Sequence, residues 1–179
     1  MGGRPAGDSH AGDSHAGDPS AVGGGHAGDK LSSPTEARKK AMDYLARREH
    51  GRAELLTKLT KFGFDANAAA AAIAQLAEDG LQSDQRFVEM FVQSRIHQGK
   101  GPVKVRAELR ERDIKVGLID SGLAEAGQDW HALAREVWGK KFGPDQPVGF
   151  KEKARQMRFL QSRGFDTEQI QAAVSALGE

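Results

Sequence analysis

Apolar positions recur in the same register three times along the chain. Ala69, Ala72, Ile73 and Leu76 form the first set, Ile119, Gly122, Leu123 and Ala126 the second, and Ile170, Ala173, Val174 and Leu177 the third. Each set has the i, i+3, i+4, i+7 spacing of one stripe on an amphipathic helix. Leu59, Leu109 and Leu160 fall at a common offset upstream. The turns Gly63-Phe64-Asp65, Asp113-Ile114-Lys115 and Gly164-Phe165-Asp166 fall at another. In the outer two turns glycine suits a left-handed helix end, and Asp65 or Asp166 can cap the helix that follows. The apolar residue between them is expected to plug the joint.

A further helix precedes each pair. The stripes Ala37, Ala41, Tyr44, Leu45 and Phe87, Val88, Phe91, Val92, Ile96 predict helices over 35–48 and 84–98. Leu133, Ala134, Val137 and Trp138 predict a third over 129–141. Ser33 and Ser83 stand where N-caps belong, with Pro34 fitting a first helical position and Glu36 a capping box. In the third repeat the connection containing Pro144 and Pro147 is several residues longer than its counterparts. The pattern therefore predicts an all-α chain of three tandem three-helix repeats, nine helices with no strand. Short helical units stacked in series predict an elongated body, curved or straight. The expected boundaries are 34–82, 83–127 and 128–179, after an N-terminal tail at 1–33.

That tail is rich in Gly, Ala, Ser and Asp, with a near-repeat at Ala6–His10 and Ala11–His15. It lacks the apolar residues needed to offset the entropy of ordering, so it reads as disordered. His10, His15 and His26 with nearby aspartates could hold a divalent metal weakly, but a low-complexity extension is the simpler reading.

Composition narrows the function by exclusion. The chain has 179 residues, 38% hydrophobic, and no cysteine, so disulfides, thiolate catalysis and Cys-type zinc sites are out. No metal or cofactor is expected. No apolar run approaches membrane-span length, and the N-terminus lacks a signal peptide's apolar core, which makes the cytoplasm the expected location. His50, His97 and His131 form no ligand-spaced cluster. Gly99-Lys100-Gly101 lacks the rest of a Walker motif and reads as a flexible turn. Trp130 and Trp138 could stack a base, but helix-borne aromatics more often belong to a core. Nothing pairs two carboxyl groups for acid–base work, so enzyme activity is not expected.

Net charge is only +1, yet it is unevenly placed. Residues 38–61 hold eight Lys or Arg, 95–112 hold six and 135–158 hold seven, each against two or three acids. The last helix of each repeat is acidic instead. This predicts a basic strip along three units, comprising Arg47, Arg48, Arg52, Arg95, Lys100 and Lys104. It continues through Arg106, Arg110, Lys140, Lys141, Lys151 and Lys153. Such a strip would attract phosphates or an acidic protein groove. The plainer alternative is a set of solvated helix faces with acids at caps.

Several segments carry a family resemblance. They are Ala46–Leu55, Asp84–Val92, Gly101–Arg110 and Asp129–Ala134, then Lys140–Gly143, Lys151–Ala154, Arg158–Leu160 and Arg163–Phe165. In this order and spacing they resemble RecX proteins across about 36–177. The middle unit departs from the Gly-Phe turn with Asp113-Ile114. The resemblance implies a monomeric regulator that binds the RecA–single-stranded DNA filament along its groove. It further implies inhibition of ATP hydrolysis, strand exchange and coprotease activity, with weak contact to single- or double-stranded DNA. Such a protein acts in recombination, DNA repair and the SOS response. A free-standing helical DNA-binding module and a passive scaffold are the alternatives. The first needs base-reading side chains on an exposed helix, and the run Ala68–Ala72 is a poor reader.

Overall fold

A computed structural model describes residues 31–145 and 147–175. The tail expectation, with the three tail histidines, falls almost wholly outside these residues. So does Leu177 of the third stripe. Among the described residues there are nine helices and no strand. The first unit holds α1 (Pro34–Leu45), α2 (Arg52–Phe62) and α3 (Ala66–Glu78). The second holds α4 (Asp84–His97), α5 (Pro102–Arg110) and α6 (Val116–Glu125). The third holds α7 (Trp130–Phe142), α8 (Phe150–Arg163) and α9 (Thr167–Ser175).

The predicted caps start these helices. Ser33 accepts from the Glu36 N–H and Ser83 from the Arg86 N–H at 3.3 Å, while Asp65 accepts from Asn67 and Ala68. Asp166 accepts from the Gln169 N–H at 2.8 Å. Each such bond satisfies an otherwise orphaned donor in a first turn and stabilises its helix by about 1 kcal/mol. The turn after each second helix is left-handed in all three units, at Gly63, Gly164 and, in the middle one, Asp113 with φ 57°. Asp is among the few side chains that tolerate this conformation, so the departure in the middle repeat preserves the turn. Phe64, Ile114 and Phe165 that follow are buried, as plugs for their joints.

Each unit builds its own core. Ala37, Ala41, Leu55, Leu59, Ala72 and Leu76 anchor the first. Val88, Val92, Val105, Leu109 and Ile119 anchor the second, and Leu133, Trp138, Leu160 and Val174 the third. First and third helices pack most closely within a unit, through the small residues of the repeat. Gly122 shows why: a Cβ there would lie 2.4 Å from Val88 Cγ1, whereas the matching residues of the outer units are alanines. Trp138 is core, as helix-borne aromatics usually are, and its indole N–H donates to Gln156 Oε1 at 2.7 Å inside the third unit. That bond satisfies both buried polar groups at once.

Candidate partner-binding surface

The second helix of every unit begins after a glycine, at Gly51, Gly101 and Gly149, and none of the three starts has a side-chain cap of its own. In the first two units the following unit supplies the missing partner. At the first seam the Arg52 N–H donates to Asp84 Oδ1 at 2.9 Å. Buried Gln82 donates to the same carboxylate oxygen at 2.8 Å and to the His50 carbonyl at 3.2 Å. Arg86 pairs with Glu49 across this seam at 2.8 Å. The second seam is made of main chain. The Gly101 N–H donates to the Arg163 carbonyl at 2.9 Å, and the Val103 N–H to the Gly164 carbonyl at 3.0 Å. The N-terminus of α5 thus sits on the C-terminus of α8, with opposite ends of two helix dipoles in contact. Ile96 and Trp130 pack against the cores of both units here. The Gly99-Lys100-Gly101 segment is therefore a fixed docking point and not the flexible turn expected from its composition.

His50 lies at the first seam, buried, with Nδ1 3.0 Å from the Arg48 carbonyl. Burial pushes its pKa below the ordinary value, and the Arg48 charge adds to this, against the raising effects of the Arg48 carbonyl and Glu54. Burial would raise neighbouring Glu54, but its bond to Arg48 and that charge outweigh it and hold the carboxyl low. For His50 the folded state resists a proton that the unfolded chain accepts. Stability is then complete above pH ~6.5, the unfolded value, and declines as pH falls below it toward the lowered folded pKa. The melting temperature is expected to drop between pH 7 and 5, and the drop should shrink in His50→Gln. An unchanged pH profile in that variant would remove His50 from the account.

The twelve strip residues divide into two groups. Arg48 is bonded to Glu54, Arg95 to Glu108 at 2.5 Å, Arg106 to Asp120 and Lys140 to Glu136 at 2.5 Å. Arg52 donates to Gln82 at 3.3 Å. Asp120 is on acidic α6, so here the acidic helix neutralises part of the strip. Arg95 also lies over the Phe91 ring, 4.3 Å from its centroid, and Arg112 lies 4.9 Å from the same ring. The other group consists of Arg47, Arg110, Lys141, Lys151 and Lys153, all exposed, and Lys100 and Lys104, half-buried near the second seam. Exposed cations with freely rotating heads are the ones able to meet a partner's anions. The strip omitted Arg163, whose guanidinium reaches the Gln98 carbonyl across the second seam at 3.2 Å. The Arg163-Gly164 pair at a left-handed turn was the available signal, but its partner lies 65 residues away.

Among the described residues no group of three or more His, Asp or Glu is placed to hold a metal. No described helix is long and apolar enough to cross a membrane. The described residues form a helical-repeat protein: three small modules, polar and main-chain seams, and cations on each unit.

Comparison with known proteins names the family. Models of the first, second and third three-helix domains of RecX match residues 37–76, 83–123 and 128–174, in that order. The chain is 43% identical over 148 residues to the regulatory protein RecX of Pseudomonas savastanoi pv. phaseolicola, covering 83% of this chain and 96% of that one. It is 44% identical over 142 residues to that of Halorhodospira halophila, covering 79% and 88%. The crystal structure of RecX from Lactobacillus salivarius superposes with a TM-score of 0.67 at 17% identity, over 84% of this chain and 97% of that one. The chain belongs to the RecX family.

Proposed function

We propose that this protein is a non-enzymatic, cytoplasmic, monomeric regulator that lies along the groove of the RecA–single-stranded DNA filament. It inhibits ATP hydrolysis, strand exchange and coprotease activity there, and so tempers recombination, DNA repair and the SOS response. The observation that carries this reading is the repetition of exposed cations on successive modules: Arg47 on the first, Arg110 on the second, Lys141, Lys151 and Lys153 on the third. A serial array of this kind meets a periodic partner at several points, and each weak contact raises the effective concentration for the next. The helix-turn-helix alternative is disfavoured by α3, whose Ala66–Glu78 sequence offers five consecutive alanines where base-reading side chains would stand.

Co-sedimentation with RecA on single-stranded DNA, in the presence of a slowly hydrolysed nucleotide, tests it. The wild-type chain is expected to pellet with the filament and not with naked DNA at equal salt. Arg47→Glu, Arg110→Glu and Lys153→Glu combined should weaken this by about tenfold or more, because rim charges act on encounter and register. Wild-type pelleting of the triple variant would dismiss the strip.

A further inference from the structure

We propose that the cleft at the first seam takes up a segment of a protein partner in which an apolar side chain is followed by a carboxylate. The partner's identity as RecA rests on the filament reading; the chemistry of the cleft does not.

The cleft has a volume of about 300 Å³ and is walled by both units. Glu49 and Glu54 come from the first, and Phe87, Met90, Phe91 and Arg112 from the second. Its charges pair off with one left over. Arg48 is bonded to Glu54, Glu49 to Arg86 at 2.8 Å and Arg95 to Glu108 at 2.5 Å. Arg112 has no carboxylate partner among the described residues. Its Nη1 donates to the Glu108 carbonyl at 2.5 Å, and its guanidinium lies over the Phe91 ring. A neutral carbonyl and a ring orient a guanidinium without cancelling its charge, so this corner stays positive. One acceptor is left over too. Glu49 Oε1 takes the Arg86 bond, while Oε2 is buried and no described residue donates to it. A buried acceptor without a donor is costly, and a donor brought in from outside recovers that cost.

These two leftovers, set beside an apolar wall, define the occupant. Phe87 is buried and Phe91 half-buried, whereas Met90 is 55% exposed. Unbranched methionine adapts to the shape of an incoming side chain. An aliphatic side chain covers this wall, the carboxylate that follows it pairs with Arg112, and a peptide N–H donates to Glu49 Oε2. A nucleotide is poorly matched. Glu49 and Glu54 repel its phosphate, and Arg95 and Arg112 already lie on the Phe91 ring. Small-molecule sites run from ~300 to 1,000 Å³, so this cleft stands at their lower limit and suits one or two side chains of a crossing segment. Arginine and aromatic side chains around such a pocket are the usual anchors of a protein interface. Because both units wall the cleft, occupancy favours the closed seam, and closure favours occupancy to the same degree.

Amide chemical shifts of the full, isotope-labelled chain, titrated with the capped tetrapeptide Gly-Leu-Asp-Gly, test the cleft. Perturbations are expected at Met90, Phe91 and Arg112 with a Kd of about 1 mM, since one anchored side chain makes few contacts. Gly-Leu-Asn-Gly and Gly-Ala-Asp-Gly should each bind about tenfold more weakly, and Arg112→Gln should weaken Gly-Leu-Asp-Gly by a similar factor. Met90→Glu changes an exposed position, so it should melt as wild type yet lose the peptide. Met42→Glu, at an exposed methionine of the first unit, should keep it. Absence of perturbation, shifts scattered over the surface, or equal binding of the three peptides overturns the proposal. So does wild-type affinity in both Arg112→Gln and Met90→Glu. Larger shifts at the same amides from an oligothymidylate would also overturn it, by making nucleic acid the occupant. Arg112→Gln should further pellet less with the RecA filament. If it loses the peptide yet pellets as wild type, the cleft stands and RecA is not its partner. If the wild-type chain itself fails to pellet, the filament reading falls while the cleft stands on the peptide.

Discussion

Gly101→Ala is expected to break the second seam while leaving each module folded. A Cβ at this position would lie 2.3 Å from the Gly164 carbonyl oxygen and 2.5 Å from the Phe165 nitrogen. Those are backbone atoms, and they cannot swing aside as a side-chain tip would. The backbone of Gly101 itself, with φ −79° and ψ 165°, is open to any residue, so the clash is the whole effect. The two units must separate by about an ångström, which forfeits both main-chain bonds and loosens Ile96 and Trp130. Two lost hydrogen bonds with their donors and acceptors left at a tight contact cost about 2–4 kcal/mol. Thermal unfolding should split, with the third unit melting earlier than in wild type. Gly117→Ala provides the contrast, because nothing lies within 4 Å of a Cβ there and the site is inside α6. It is expected to stabilise the protein by about 0.5–1 kcal/mol. A wild-type melt for Gly101→Ala would show that the seam is not closed in solution.

Leu109→Ala carries the second large effect, and it acts inside a module. Leu109 is completely buried among Val88, Val92, Val105 and Ile119. Truncation of a leucine in such a site costs about 2–5 kcal/mol, the upper part arising where the cavity cannot collapse. Here α4 and α6 are already held at contact by Gly122 against Val88, so collapse is restricted. A three-helix unit of this size has little stability to spare. The middle module is expected to unfold, and both seams with it, since each draws on its residues. Helicity by circular dichroism would fall by more than the middle module's share. A loss confined to a few degrees of melting temperature would contradict the picture of thin, separate cores.

The local rules were readable in the sequence because their signals are local. Stripe spacing located the helices, Ser33, Ser83, Asp65 and Asp166 marked starts, and the paired Gly-Phe turns marked ends. Even the exception at Asp113 obeyed the same backbone requirement. The surface was less legible. Lysines and arginines are visible in a sequence, but which of them are spent on a carboxylate depends on helix crossings. Arg95 finds Glu108 thirteen residues away and Arg106 finds Asp120 fourteen away, spacings that no single-helix rule covers. The seams were less legible still. Gly101 and Gly164 matter because two backbones touch, and neither glycine announces the other. The third such start, Gly149, is followed by exposed Phe150.

The placement of the indole rings has a practical consequence. Trp138 is sealed inside the last module and Trp130 lies where that module meets the middle one, while the first module contains Tyr44 and no tryptophan. Intrinsic emission excited at long wavelength therefore watches one end of the molecule and is blind to the other. A titration or melt followed by that signal alone would report a single transition even if the modules came apart one after another.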